Sequence, residues 1–277
     1  MTTESGTTST RQRIKRLFPA SVWQRLSEAR YAARRFAEWP AATFHPWRRE
    51  SIRLLSTFKD IHQGKRCFII GNGPSLKNTD LSKLKGEYTF GMNRAYLLFP
   101  ELGFNTTYFV SVNSLVIEQC AEDLRALPIP KFVSWRSRRL IAPAPNLAYL
   151  YTTYTSPKFA TDARGRLWEG ATVTYVALQL AHFMGFETAI LIGVDHNFAT
   201  QGKPNTTIVS QGDDPNHFSA AYFGKGFRWQ LPDLETSEMA YSLARQAYQS
   251  DGRRVLDATV GGKLAIFPKI EYGSLFQ

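Results

Sequence analysis

Three short apolar runs, each running into an asparagine turn, constrain this 277-residue chain more than any other feature. Residues 67–70 lead into Gly71-Asn72-Gly73-Pro74-Ser75, residues 88–92 into Asn93-Arg94, and residues 107–112 into Asn113-Ser114. Short β-branched and aromatic runs bounded by turn residues read as buried strands. In a parallel sheet their carboxyl ends gather along one edge, where open α/β sheets bind nucleotides. Three amides would then share one crevice, each offering a donor and an acceptor to phosphate, ribose or base without adding charge. Asn also tolerates turns in its own right, so a single one carries little weight and three in step carry more. Gly71 and Gly73 allow positive φ and close approach of a ligand, Pro74 sets the next turn, and free backbone N–H groups are expected at the strand end. The turn is neither a Walker A loop, since no Gly-Lys-Ser/Thr follows, nor the dinucleotide fingerprint, since Leu76 stands at the third glycine.

The rest of the pattern fills in an α/β body. Residues 131–135, 188–194 and 254–256 read as further strands, and 48–60, 118–127 and 235–249 as helices. Between them Glu169-Gly170-Ala171-Thr172 opens a helix over 172–184, with Thr172 as N-cap and an anion-holding amino end. Residues 136–146 read as a loop, and Tyr149, Tyr151 and Tyr154 fall in a stretch assigned to no element. The expected architecture is a single Rossmann-like, mostly parallel open sheet with helices on both faces. From 196 to 232 the chain is polar, Gly-rich and without periodicity, as a lid is. It carries Asp213-Asp214-Pro215-Asn216-His217-Phe218 and then Tyr222.

Charge divides the chain unevenly. Of the net +11, residues 1–66 hold +9, from 14 Lys/Arg against 5 Asp/Glu. Residues 1–10 are small and polar and read as a disordered tail, 11–62 as a basic amphipathic helical arm, and 63–277 as the α/β domain that carries the candidate nucleotide site. Val22, Leu26, Ala29, Ala33 and Phe36 share one helical face, with Arg25, Arg30, Arg34 and Arg35 elsewhere and Trp23, Trp39 and Trp47 nearby. Basic residues with aromatic edges suit an anionic membrane surface, here through residues 11–49; a helix packed on the body or on another subunit is the plainer alternative. No nucleic-acid fold accompanies the charge. Cys67 and Cys120 give neither a disulfide framework nor metal spacing, no run of 18 apolar residues exists, and no signal-peptide core stands at the amino end. The expected location is cytoplasmic, peripheral on the inner face of the membrane. His62, His182 and His217 show no ligand spacing, so no metal cofactor is expected.

The Gly-Asn-Gly-Pro-Ser-Leu-Lys turn with the following Asp80, the Asn93 and Asn113-Ser114 turns, the small-residue turn before 172, Gly193-Val194-Asp195 and Asn216-His217-Phe218 fall in one order. That order resembles the bacterial sialyltransferases of glycosyltransferase family forty-two. The glycine turn and Ala258-Thr259-Val260-Gly261-Gly262 are also similar to the MptE-like family, which groups motility accessory factors with archaeal hydroxymethylpterin diphosphokinases. The first resemblance implies a GT-A-like variant of the α/β fold. It implies a metal-independent, inverting transferase that moves a sialic-acid- or Kdo-type sugar from its CMP donor to a glycan or lipid-linked saccharide, as in capsule or lipopolysaccharide synthesis. It further implies nucleotide binding by Gly71, Asn72, Gly73, Ser75, Asn93, Asn113, Ser114, Gly170, Ala171, Thr172 and Asp195, His217 as general base, and a homo-oligomer. The chain departs from that family at Asn197, where a tyrosine assists the leaving phosphate, so this help falls to Asn197, His196 or Tyr222, or the donor differs. The second resemblance implies a nucleotide-dependent diphosphokinase with Asp195 and Asp80 as candidate Mg²⁺ ligands. A non-catalytic nucleotide- or glycan-binding accessory protein is the third reading.

Overall fold

The computed structural model describes residues 29–30, 33, 36–200 and 202–277. The expected disordered tail, Val22 and Leu26 of the apolar face, Trp23, and Arg25, Arg34 and Arg35 lie outside the described residues. Residues Met1–Thr43 and Phe44–Gln277 are separate units. Within the first, 36–43 are helical and Phe36 is exposed.

The described residues form ten strands: β1 Arg66–Ile70, β2 Tyr88–Met92, β3 Tyr108–Ser111, β4 Lys131–Ser134, β5 Leu147–Thr153, β6 Arg166–Trp168, β7 Thr188–Ile192, β8 Thr207–Val209, β9 Arg228–Gln230 and β10 Arg254–Asp257. The main helices are α1 Pro46–Ser56, α2 Ser114–Ala126, α3 Val173–Phe183 and α4 Leu234–Ser250. Eight strands form one open sheet in the order β10-β7-β1-β2-β3-β4-β5-β6, with parallel pairing at every step. The chain lays β2 to β6 outward from β1 on one side, then returns through α3 to place β7 on the other. That direction reverses between β1 and β7, the topological switch point at whose carboxyl edge open α/β sheets bind ligands.

Alternation along the strands divides two cores. Cys67, Ile69, Phe90, Met92, Val110 and Leu191 share one cluster with α3 and α4. Phe68 and Phe109 point the other way, where Phe276 stacks on Phe68 and Tyr96 meets Phe109. Helix α3 is buried from Thr174 to Phe183 because sheet and α4 enclose it, as a helix apolar on all sides must be.

Strands β5 and β6 are elements the sequence pattern did not disclose. All seven residues of β5 are buried, and a strand covered on both faces shows no period-two alternation. Helix α1 packs on β5 beside the short β6: the Tyr149 N–H donates to Ser51 Oγ at 2.9 Å, and Arg48 Nη2 donates to the Arg164 and Gly165 carbonyls, just before β6, at 2.6 and 3.2 Å. This helix therefore belongs to the unit that begins at Phe44. Helix α2 starts four residues earlier than its periodicity suggested, because the Asn113 carboxamide accepts from the Leu115 and Val116 N–H groups at 3.0 and 3.3 Å, a strong N-cap. The lid-like segment holds a small antiparallel pair, β8 with β9. Among the described residues no helix is long and apolar enough to cross a membrane.

Candidate functional site

The glycine turn after β1 interlocks with the turn after β7. Gly71 N–H donates to the Ile192 carbonyl at 2.7 Å and Gly73 N–H to the Gly193 carbonyl at 2.9 Å. Ser75 donates twice to the Asp195 carboxylate, from N–H at 3.1 Å and from Oγ at 2.7 Å, and Leu76 N–H donates to the Gly73 carbonyl. The expectation of free N–H groups is thus corrected for Gly71, Gly73, Ser75 and Leu76: these donors are engaged within the fold. Neither Gly71 nor Gly73 adopts positive φ; Gly73 sits at −70°, and the left-handed residue is Gly193 at +65°. A Cβ on Gly71 would overlap the Gly193 carbonyl, and one on Gly73 the Asp195 carboxylate. Both glycines are needed for the two turns to touch. A third wall comes from residues 258–263: Val194 N–H donates to Thr259 Oγ1 at 3.2 Å and Lys263 N–H to the Asp195 carbonyl at 2.8 Å.

Asn72 remains, between these turns. Its Oδ1 is buried and has no hydrogen-bond partner among the described residues. A buried acceptor left unmade costs about 1–3 kcal/mol, so such a group in a crevice points to a ligand donor. Asn93 follows β2 in the left-handed region (φ +55°), with its Oδ1 accepting from Ser111 Oγ at 3.2 Å. Asn113 spends its Oδ1 on the α2 cap. Both amides therefore keep Nδ2 donors and have engaged acceptors, while Ser114 is exposed on the first turn of α2. Three asparagines do end neighbouring strands, but Asn113 is also a helix cap and Asn93 is tied to Ser111.

At α3, Thr172 accepts from the Thr174 N–H at 3.3 Å and lies 3.5 Å from the Tyr241 hydroxyl. Gly170 (φ +53°) precedes it, and a Cβ there would press into Tyr175 and Ala240; Ala171 is also left-handed at +59°. Tyr241 on α4 links this turn to His196, whose Nε2 meets Glu238 Oε1 at 2.9 Å. Asn197 is exposed.

The lid descends on the crevice through Phe218, whose N–H donates to the Asn72 carbonyl at 2.9 Å. One residue earlier, His217 Nδ1 lies 2.7 Å from the Asp214 carboxylate, which is buried. The imidazole stacks on Tyr222 at 4.0 Å between centroids and 6° between planes, and its Nε2 makes no hydrogen bond among the described residues. Tyr222 is buried; its hydroxyl accepts from the Arg94 N–H at 3.3 Å, and burial pushes the phenol well above its ordinary pKa. Sequence reasoning singled out His217 and Tyr222 and set Asp213 and Asp214 in the same run. It did not single out Arg94 or give Thr259 a role; the Asn93-Arg94 turn and the Ala258–Gly262 run were the available signals. Among the described residues no three His, Cys, Asp or Glu side chains gather as a metal site would require.

This arrangement combines an acceptor without a partner at a switch point, amide donors along the same edge, and a carboxylate-oriented imidazole brought in by a loop. It can bind a polar nucleotide-like group and take a proton from a hydroxyl. No curated protein matches the chain. Two solved chains do. One is the MAf glycosyltransferase from Magnetospirillum magneticum AMB-1, with a TM-score of 0.48 and 15% identity over 82% of this chain and 39% of that one. The chain thus spans about two-fifths of the length of that structure. A model of the family described as 6-hydroxymethylpterin diphosphokinase MptE-like matches residues 45–201, from the amino end of α1 through the Asp195 turn and short of His217. With more than half its length matched, the chain belongs to the MptE-like family.

Proposed function

We propose that this protein is a transferase for a nucleotide-activated substrate. In its sharpest form, it moves a nonulosonate or ulosonate sugar from its CMP donor to a hydroxyl of a glycan or lipid-linked saccharide. The observation that carries the reading is the Asp214–His217 pair, delivered to the β1/β7 switch point by the bond from Phe218 N–H to the Asn72 carbonyl. Asp214 accepts from Nδ1–H and so fixes the tautomer in which Nε2 keeps its lone pair. Nε2 removes the acceptor proton as the anomeric bond to phosphate breaks, a step to which a positioned base contributes about 10²–10⁴-fold. Direct displacement inverts the anomeric centre. The Nδ2 groups of Asn93 and Asn113 meet the departing phosphate, Asn72 Oδ1 accepts from the nucleotide, and no step calls for a metal. The basic arm ahead of the α/β unit, through residues 11–43, holds the enzyme to an anionic bilayer, where lipid-linked acceptors reside.

The test is release of CMP from CMP-activated nonulosonates by the full chain in EDTA, with His217→Ala beside it. A loss of at least about 10²-fold in His217→Ala is expected. Turnover unaffected by that substitution would overturn the assignment of the base.

The family description favours a second reading, a nucleotide-dependent diphosphokinase. It would enlist Asp195 and Asp80 around Mg²⁺. Asp195 already accepts two bonds from Ser75, and Asp80 caps its own helical turn through Ser82. Dependence on ATP with Mg²⁺, and indifference to CMP, would select this reading.

A further inference from the structure

Arg94, directly after Asn93 at the end of β2, takes no part in the chemistry proposed above, yet it holds more of the lid than any other contact described. Its Nη1 donates to the carbonyls of both Ala221 (3.2 Å) and Tyr222, and its backbone N–H donates to the Tyr222 hydroxyl at 3.3 Å. The guanidinium lies 5.2 Å from the Phe227 ring and 5.8 Å from the Tyr222 ring. On its other side, Nε donates to the Tyr96 hydroxyl at 3.3 Å, and Tyr96 donates in turn to Asp123 on α2 at 2.7 Å. No carboxylate pairs directly with Arg94 among the described residues.

We infer that Arg94 is the positioning residue for the base: by fixing Tyr222 it fixes the plate on which the His217 imidazole lies. This rests on the reading of His217 as the base. Around His217 the lid has little regular structure of its own, and an imidazole held only by Asp214 could still pivot about the Nδ1 bond. The parallel Tyr222 ring removes that freedom, and Tyr222 is itself held by side-chain, main-chain and ring contacts to Arg94. A guanidinium suits the task because its planar fork presents several donors in fixed directions, and bonds from a charged donor are the stronger kind. The Asp214 bond sets the tautomer, the Phe218 bond sets the height above Asn72, and Arg94 sets the tilt.

The experiment is a double-mutant cycle on the full chain, with CMP release from a CMP-activated nonulosonate at saturating acceptor as readout. Arg94→Met is expected to lower kcat by about 10²-fold, the scale of a misplaced reacting group, while the KM for donor holds. Arg94→Lys is expected to recover part of that loss, since an ammonium reaches the carbonyls without the fork. In a His217→Ala background Arg94→Met is expected to cost no further kcat, because both changes remove one function. Should Arg94→Met fail to fold, Arg94→Lys carries the same cycle. An equal loss in both backgrounds, or a loss confined to donor KM, would overturn the inference while leaving the base in place. If His217→Ala retains full kcat, the assignment of the base falls and takes this inference with it.

Discussion

Replacing Gly71 with alanine separates two accounts of the glycine turn. On the structure, an added methyl meets the Gly193 carbonyl, a backbone group that cannot rotate away. Relief requires the β1 and β7 turns to part, which strains the bonds from Gly71 N–H to Ile192 O (2.7 Å) and from Gly73 N–H to Gly193 O (2.9 Å). Overpacking of this kind costs about 1–3 kcal/mol, and two weakened hydrogen bonds add about 0.5–1.5 kcal/mol each. A loss of roughly 2–6 kcal/mol is expected, which for a unit of this size lowers Tm by about 2–4 °C per kcal/mol. Urea unfolding is the assay, with the midpoint falling and the m-value unchanged. Gly212→Ala serves as control: its Cβ meets nothing within 4 Å, and the change should stay within about 0.5 kcal/mol. If Gly71→Ala kept wild-type stability but no longer bound nucleotide, the glycine would be serving ligand approach and the packing argument would be wrong.

Other consequences follow from the same contacts. Burial holds His62 below its ordinary pKa, and His182 likewise, with Arg253 adding to the effect. The unfolded chain takes up protons near pH 6.5 that the native state declines, so stability is complete above that value and falls as the pH drops below it; scans of Tm from pH 7.5 to 5 should show the decline, and His62→Gln with His182→Gln should flatten it. Burial raises the pKa of Glu169, against the pull of Arg136 and Thr152. Arg136→Met should therefore destabilise by about 1–3 kcal/mol, less at pH 5 than at pH 8 because the carboxyl can then be neutral; an equal loss at both values would contradict this. Ser75→Ala removes one of two charge-assisted bonds to Asp195 and should cost about 1.5–3 kcal/mol in urea unfolding, with Ser75→Thr retaining most of it if the hydroxyl is what matters. Binding to anionic vesicles should weaken steeply with added salt, and equal binding to zwitterionic vesicles would contradict electrostatic tethering.

The sheet was legible wherever the local signal and the tertiary environment agreed. Strands β1, β2, β3, β4 and β7 are apolar runs closed by turn residues, and α3 carries its N-cap, Thr172, in plain sight. What escaped was decided by long-range contacts. Strand β5 hides its period because both faces are covered, and β6 is three residues long and exists by pairing with β5. The start of α2 depended on whether Asn113 would cap, and α1 reads as part of a basic arm until Ser51 is seen holding β5 and Arg48 the turn before β6. At the crevice the sequence supplied the right turns with part of the wrong reason. Glycine and asparagine are ambiguous because close packing and ligand approach demand the same residues, and here packing claims Gly71, Gly73 and Gly170. The stack of His217 on Tyr222 spans five positions but depends on how the lid folds back on itself, and the hold of Arg94 on Ala221 and Tyr222 joins residues 127 and 128 positions apart, which no local pattern encodes.

The central claim is that the β1/β7 crevice binds a CMP-activated donor without a metal. Its most direct test is the thermal stability of the full chain with CMP in EDTA against ATP with Mg²⁺. At about 100 times its Kd a ligand adds roughly 2.7 kcal/mol. The account predicts a rise in Tm with CMP in EDTA, diminished in Asn72→Ala. Stabilisation by ATP with Mg²⁺ and none by CMP would contradict it.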